Sequence, residues 1–337
     1  MYRTAIVNSR TFLVKFPDLE EKLSRLTEVI RLQVPKDIEG KELAKELKGY
    51  QFVVASVTPY YSREFFEENE DVILIARHGI GVDNIDLNAA TEYGVIVTRV
   101  PGYREREAVA ELTIALMLSV IRRICSGYEA VRRGRWGERG KLVGFELKGK
   151  TIGIIGLGNI GSRVAEILSK GFNAKVIAFD PYVDRETAFK YGAELVGFER
   201  LLRESDIITL HCPLTQETYH LLNDEAFRKM KRGIILINAA RGELIDTEAL
   251  IKALREGIVA GVGLDVVERE PIGADHPLLE FENVVIVPHI GANTLEGLRG
   301  MDESCVNAII DVINGKVPEG IVNPEVIKKG VRGGLRV

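Results

Sequence analysis

Along the first hundred residues, short β-branched apolar runs (TAIVNS, IRLQV, FVVASV, VILIARHG and VIVTRV) alternate with polar-studded stretches such as GKELAKELK and NIDLNAATEYG. Alternation of this kind predicts parallel βαβ units with helices on both faces of a sheet. From about Glu105 to Arg133 the rhythm breaks, and a largely apolar helical pattern runs on without a strand. So much apolar surface on one helix marks a buried spacer or a subunit interface. A second series begins at Thr151 with TIGIIG, KVIAFD, AELV, DIITLHC, GIILINA, VAGVGLDV and VVIVPH. These runs are continuous rather than alternating in polarity, which predicts strands covered on both faces. A last helical pattern spans about Thr294 to Lys316, and the basic, glycine-rich tail IKKGVRGGLRV is expected to fray. The whole pattern predicts an α/β chain with two doubly wound parallel sheets and a long helix between them.

Composition narrows the picture. A chain of 337 residues suits two domains, at roughly 100 to 200 residues each. Charged residues make up 28% but nearly cancel, to a net charge of −4, so no overall field draws the chain to nucleic acid or an anionic membrane. No apolar run approaches the roughly 20 residues that span a bilayer, and the N-terminal MYRTAIVNSR lacks a signal peptide's apolar segment. A cytoplasmic protein is the expectation. Cys125, Cys212 and Cys305 lie far apart and outside any CxxC spacing, so they read as core thiols, with neither a disulfide framework nor a metal site.

Candidate chemistry starts in GIIGLGNIGSRVAEIL, where Gly156, Gly158 and Gly161 form G-x-G-x-x-G directly after a strand and before a helix. Such triplets arise by chance, so the context carries the weight. The next strand, KVIAFD, ends at Asp180, about twenty residues on, the offset at which an acid meets the ribose hydroxyls of a dinucleotide. Gly156 would allow the tight turn, Gly158 a close approach of backbone to pyrophosphate, and Gly161 close packing of helix on strand. The helix start at Asn159 and Ile160 would offer free N–H groups to the phosphates. The charge of Asp180 would repel a 2′-phosphate, which favours NAD over NADP, although Arg185 lies close enough in sequence to soften that preference.

Ligands of an open parallel sheet sit outside the carboxyl ends of its strands. Arg241 follows GIILINAA, Glu270 follows VAGVGLDV, and His289 ends VVIVPH. The planar fork of an arginine matches a carboxylate. A histidine can exchange a hydroxyl proton near neutral pH, and a carboxylate beside it would hold the ring in place. Taken singly, each has an ordinary explanation: an arginine with its head in water, a strand-end histidine, a loop charge before Pro271, and for Asp265 a turn or a helix cap. Together, behind a dinucleotide fingerprint, they point to hydride transfer between a nicotinamide and the alcohol carbon of a small acid.

The segments GLGNIG, HCPLTQETYHLLN, INAARGELID, GLDVVEREP and PHIGANT occur in this order, behind RHGIGVDNIDLNAATEYGVIV at residues 77 to 97. They resemble the D-isomer-specific 2-hydroxyacid dehydrogenases over nearly the whole chain. The resemblance implies a flavodoxin-like substrate domain, residues 1–101 and 292–337, and a Rossmann NAD domain, residues 102–291, closing over an interdomain cleft. It implies that Arg241 binds substrate, that His289 is the acid/base and that Glu270 pairs with it. Asp180 would take the adenosine ribose, Asn159 and Ile160 the pyrophosphate, and Asp265 the nicotinamide amide. Pro213, Thr218, Ala239, Ala240 and Gly291 would complete the cofactor's surroundings. Backbone N–H groups of His78, Gly79, Ile80 and Gly81 would hold the substrate carboxylate. The long helix, with Trp136 just beyond it, resembles the family's dimer arm and implies a homodimer.

The implied activity is NAD-dependent reduction of a small 2-oxo acid of the glyoxylate or hydroxypyruvate type. Two departures bear on substrate. RVPGYREREAVAEL is longer than the family's usual loop and carries Arg99, Arg104 and Arg106, while ASVTPYYS places Val57 before Thr58 where phosphoglycerate enzymes tend to carry arginines. A regulatory amino-acid-binding domain at the C-terminus is not expected. D-3-phosphoglycerate dehydrogenase stays open as an alternative within the family. A non-catalytic NAD(H)-sensing module, like the corepressors that resemble this family, stays open outside catalysis, although no long low-complexity extension for recruiting partners is seen.

Overall fold

The computed structural model describes residues 1–334 and divides into two compact units, Met1–Glu105 with Thr294–Val337, and Arg106–Asn293. The first unit opens with strands β1 (Tyr2–Val7), β2 (Thr27–Leu32), β3 (Phe52–Ala55), β4 (Leu74–Arg77) and β5 (Ile96–Thr98), all parallel, in the order β2-β1-β3-β4-β5. That is the flavodoxin-like order. Helices α1 (Pro17–Ser24), α2 (Gly40–Glu46), α3 (Arg63–Glu68) and α4 (Leu87–Glu92) connect the strands. β3 and β4 are buried at every position, as their unbroken apolar runs require, whereas β2 at the sheet edge is largely half-exposed or exposed.

The second unit begins with α5 (Arg106–Ile121) and α6 (Ile124–Arg132). The sequence pattern predicts one long helix here, but Arg123 takes a left-handed conformation, φ 53°, and splits it in two. α5 buries Ala110, Met117 and Val120 against the sheet, while α6 buries only Ala130. The unit continues through β6 (Thr151–Ile155), α7 (Asn159–Phe172), β7 (Lys175–Phe179), α8 (Arg185–Lys190), β8 (Ala193–Leu195), α9 (Phe198–Glu204) and β9 (Ile207–Leu210). It closes with α10 (Asp224–Lys229), β10 (Ile234–Asn238), α11 (Thr247–Arg255), β11 (Val259–Leu264) and β12 (Val284–Ile286). The strand order, β12-β11-β10-β9-β6-β7-β8, is that of a Rossmann sheet, all parallel, with the reversal between β6 and β9. β10 is buried throughout. β12, at the edge, is half-buried along its length and departs from the two-sided cover its apolar run predicts.

The chain returns to the first unit through α12 (Leu295–Ile313) and α13 (Glu325–Lys329). Thr294 caps α12, its hydroxyl accepting the amide of Gly297 at 2.9 Å. Val306, Ile309 and Val312 on α12 form one core with Ile6, Phe52, Leu74 and Ile96 of the sheet. Up to residue 334 the tail is held rather than frayed. Arg332 donates its amide to Gly94 O at 2.8 Å and its guanidinium to the carbonyls of Tyr93 and Phe66, each at 2.9 Å. The end of that stretch, residues 335–337, lies outside the described residues. Of the expected core thiols, Cys305 is buried and Cys212 partly so, but Cys125 is exposed on α6. Among the described residues no helix is long and apolar enough to cross a membrane, and no cluster of acids, histidines and cysteines is suited to a metal ion.

Candidate active site

The turn from β6 into α7 is shaped by three missing side chains. Gly156 sits at φ 90°, where a Cβ would also lie 2.6 Å from the amide nitrogen of Cys212. At Gly161 a Cβ would overlap the carbonyl oxygen of Gly156. At Gly158 it would meet nothing within 4 Å, so this backbone is bare toward open space. α4, α8, α10, α11 and α12 each start on an Asp, Asn or Thr whose side chain accepts a first-turn amide. α7 starts on Gly158 with no such cap, which leaves its first-turn N–H groups and the positive end of a 14-residue helix turned outward. Asp180, just past β7, accepts the amides of Leu157 at 2.8 Å and Tyr182 at 2.9 Å. An ionised carboxylate offers roughly four lone-pair sites, so Asp180 is pinned to the glycine turn and keeps acceptor capacity for ribose hydroxyls. A bare backbone face, an uncapped helix start and an oriented acid fit a dinucleotide.

The carboxyl ends of β10, β11 and β12 supply the second part. Asn238, fully buried, donates its side-chain amide to Arg241 O at 2.7 Å and accepts the Ala240 amide at 3.0 Å, folding the turn that presents Arg241. Gly242 follows, and the absence of its Cβ lets the peptide joining Val267 to Glu268 lie directly against it. The Arg241 segment and the Glu270 segment are thereby held side by side. One oxygen of Glu270 accepts the Val267 amide at 3.1 Å, and the other lies 2.8 Å from Nδ1 of His289. His289 itself sits at φ 52°, its amide shared between the carbonyls of Asp265 at 2.9 Å and Val287 at 3.0 Å. Below it, both oxygens of Asp265 accept backbone amides, from Ile290 at 2.7 Å and Gly291 at 2.9 Å. Burial pushes the Asp265 carboxyl above its ordinary range even though those amides favour the charged form.

Of the five histidines, four are otherwise engaged. His78 is buried against Asp302. His211 is neutral at physiological pH, because burial pushes its pKa down to about 3. His220 faces Glu268 at 2.9 Å and Asp246 at 3.8 Å, and His276 accepts the Leu278 amide. His289 alone couples 40% side-chain exposure to a carboxylate on one nitrogen. Since that carboxylate accepts, the proton sits on Nδ1 and Nε2 is left for other work.

The remaining sequence-predicted positions fall as follows. In the first unit, His78 to Gly81 form the turn after β4, with the His78 amide bound to Ala55 O at 2.9 Å and Gly79 O accepting Val100 N at 3.0 Å. The amides of Ile80 and Gly81 meet no acceptor among the described residues. In the second unit, the Thr218 hydroxyl donates to Pro213 O at 2.7 Å, so it shapes the loop after β9. The Ala240 amide is already bound to Asn238, and Ala239 is nearly buried. Of the loop arginines, Arg104 pairs with Glu303 at 3.2 Å and Glu319 at 3.8 Å, and Arg106 lies 3.8 and 3.9 Å from Glu107 and Glu166. Asn238, Glu268 and Asp302 were not singled out from the sequence. An Asn ending an apolar strand was the one available signal, for Asn238.

Residues 114–291 match the D-isomer specific 2-hydroxyacid dehydrogenase NAD-binding domain. The chain is 42% identical over 293 residues to a glyoxylate reductase of Thermofilum pendens, covering 86% of each protein. It is 39% identical over 312 residues to a D-3-phosphoglycerate dehydrogenase of Archaeoglobus fulgidus, covering 92% of this chain and 59% of that one. Among solved structures, D-lactate dehydrogenase from Aquifex aeolicus complexed with NAD and lactic acid superposes with a TM-score of 0.81 at 30% identity, over 98% of both chains. The chain therefore belongs to the D-isomer-specific 2-hydroxyacid dehydrogenases. It is an NAD-dependent oxidoreductase of 2-hydroxy acids, which replaces the non-catalytic alternative.

Proposed function

We propose that this enzyme reduces a small, unphosphorylated 2-oxo acid with NADH, glyoxylate foremost, and that Arg241, Glu270 and His289 carry the chemistry. The observation that bears most weight is the 2.8 Å pair of His289 Nδ1 and Glu270 beside the Arg241 turn. Gly156, Gly158, Asn159, Ile160 and Gly161 hold the pyrophosphate and Asp180 the adenosine ribose. Pro213, Thr218, Ala239, Ala240, Asp265 and Gly291 complete the cofactor's surroundings. Bound there, NADH supplies the hydride to C2 of the oxo acid. For reduction His289 carries a second proton on Nε2 and delivers it to the C2 oxygen, while Glu270 holds Nδ1–H, orients the ring and stabilises its doubly protonated form. The Arg241 guanidinium binds the substrate carboxylate and polarises the adjoining carbonyl. The amides of the His78–Gly81 loop are a further carboxylate hold.

Two observations favour an unphosphorylated substrate. Arg104 and Arg106 already face acids, and the β3 loop exposes Val57 rather than an arginine. Glyoxylate, hydroxypyruvate, pyruvate and 3-phosphohydroxypyruvate, each with NADH and NADPH, test the reading. The expected result is the highest kcat/KM for glyoxylate with NADH. Preference for the phosphorylated acid would move the assignment to D-3-phosphoglycerate dehydrogenase.

The same reading makes the enzyme a cytoplasmic homodimer. Ile124, Tyr128 and Val131 form an exposed apolar stripe on α6, and Trp136 beyond it is 67% exposed, surface that a second copy would cover.

A further inference from the structure

In the first unit, the side chain that opens the β4 turn is buried, and it meets a carboxylate that is buried more deeply still. His78 Nε2 donates to Oδ1 of Asp302, on α12, at 2.8 Å, and Oδ2 of the same carboxylate accepts the amide of Leu13 at 2.8 Å. Phe12 stands edge-on to the imidazole, with ring centroids 5.2 Å apart. Asp302 has no exposed surface, so a buried carboxylate depends on both donors, and losing either leaves it under-satisfied. Three segments are thereby fixed to one another: the turn after β1, the end of β4, and α12. On the other side of the turn the Arg77 guanidinium donates to His78 O and lies against Gly79, which sits at φ 144°. With the His78 ring and the carbonyls of His78 and Gly79 all tied, the Ile80 and Gly81 amides are left as unspent donors among the described residues.

We infer that Asp302, acting through His78, is a positioning residue for the substrate-carboxylate loop. This rests on the reading above that the loop's amides hold that carboxylate. Amides fixed before the substrate arrives need not be ordered when it binds, so loosening their anchor weakens substrate binding more than turnover at saturation.

The test is KM and kcat for glyoxylate, with the NADH dissociation constant from fluorescence quenching and a thermal melt. The variants are Asp302→Asn, His78→Leu, His78→Gln, the Asp302→Asn/His78→Leu double, and Gly79→Ala. In Asp302→Asn an NH2 group replaces one of the two accepting oxygens, so either the His78 Nε2–H or the Leu13 amide loses the acceptor it faces. Asp302→Asn and His78→Leu are expected to raise KM about tenfold, with kcat within about threefold and NADH binding unchanged. The double should be no worse than the worse single, and His78→Gln, which keeps a donor, should recover much of the loss. An unchanged KM in folded Asp302→Asn or His78→Leu, or no recovery with His78→Gln, overturns the inference. If Asp302→Asn does not fold, the two His78 variants decide it. Gly79→Ala strains the loop directly: a raised KM there beside unmoved His78 and Asp302 variants sinks the inference alone, and an unmoved KM there sinks the loop reading as well.

Discussion

One methyl group separates the tasks of two glycines in the β6–α7 turn. At Gly158 it would enter open space, so Gly158→Ala should keep the wild-type Tm yet weaken NADH binding about tenfold, since a side chain now stands where backbone must approach the pyrophosphate. At Gly161 it would strike the Gly156 carbonyl, so Gly161→Ala should lower stability by about 1–3 kcal/mol. Equal Tm losses in the two, measured by calorimetry, would contradict the division. His289→Ala should cut kcat about 10²- to 10⁴-fold and leave NADH binding nearly intact, because the imidazole handles a proton and not the dinucleotide. Comparable loss of cofactor affinity would count against that role. The glycines, Asp180, Arg241, Glu270 and His289 were legible because strand ends and spacing alone bring them forward. Asp302 was not, since its partners are set by tertiary pairing: Asp302 and Leu13 lie 289 residues apart. Asn238 binds only Ala240 and Arg241 nearby in the chain, and its polar end was hidden in the apolar run that precedes it.

Among the elements, the segment from Val267 to Pro271 does the most to shape the site, and it is clamped from outside by Glu268. That side chain accepts from His220 at 2.9 Å and from the Thr247 amide at 3.3 Å. Burial pushes the Glu268 carboxyl up, but the hydrogen bonds from Thr247 and His220 outweigh it and hold the group below its ordinary 4.5. A carboxyl depressed in the folded state adds stability above its unfolded value and loses it as pH falls through the folded one. Glu268→Gln should therefore lower Tm near neutral pH, and the gap to wild type should close in melts taken progressively below pH 4.5. A gap that persists into acid would assign the effect to packing. Elements were the most readable scale: among the described residues, all twelve strands fall within or beside apolar runs visible in the chain. The break between α5 and α6 was not readable, because the hydrophobic pattern continues through Arg123 while the backbone does not.

For the molecule as a whole, the dimer proposal makes a direct prediction. Replacing Tyr128 and Val131 with glutamate puts charge on the exposed stripe of α6 without touching a core, since α6 buries only Ala130. Sedimentation should then find monomers with an unchanged Tm transition per unit, and a dimer surviving both changes would place the interface elsewhere. The two sheets could be told apart in the sequence because a helical spacer interrupts the strand rhythm. The strand order within each sheet came only with the resemblance, since periodicity says nothing of neighbours. The discontinuity of the first unit also matters while the chain is being made. The face formed by Ile6, Phe52, Leu74 and Ile96 is covered by α12, which leaves the ribosome only after the entire cofactor unit. At about 5–20 residues per second that is a delay of roughly 10–40 s, during which the nascent sheet keeps a sticky flank uncovered and is a natural client for a chaperone.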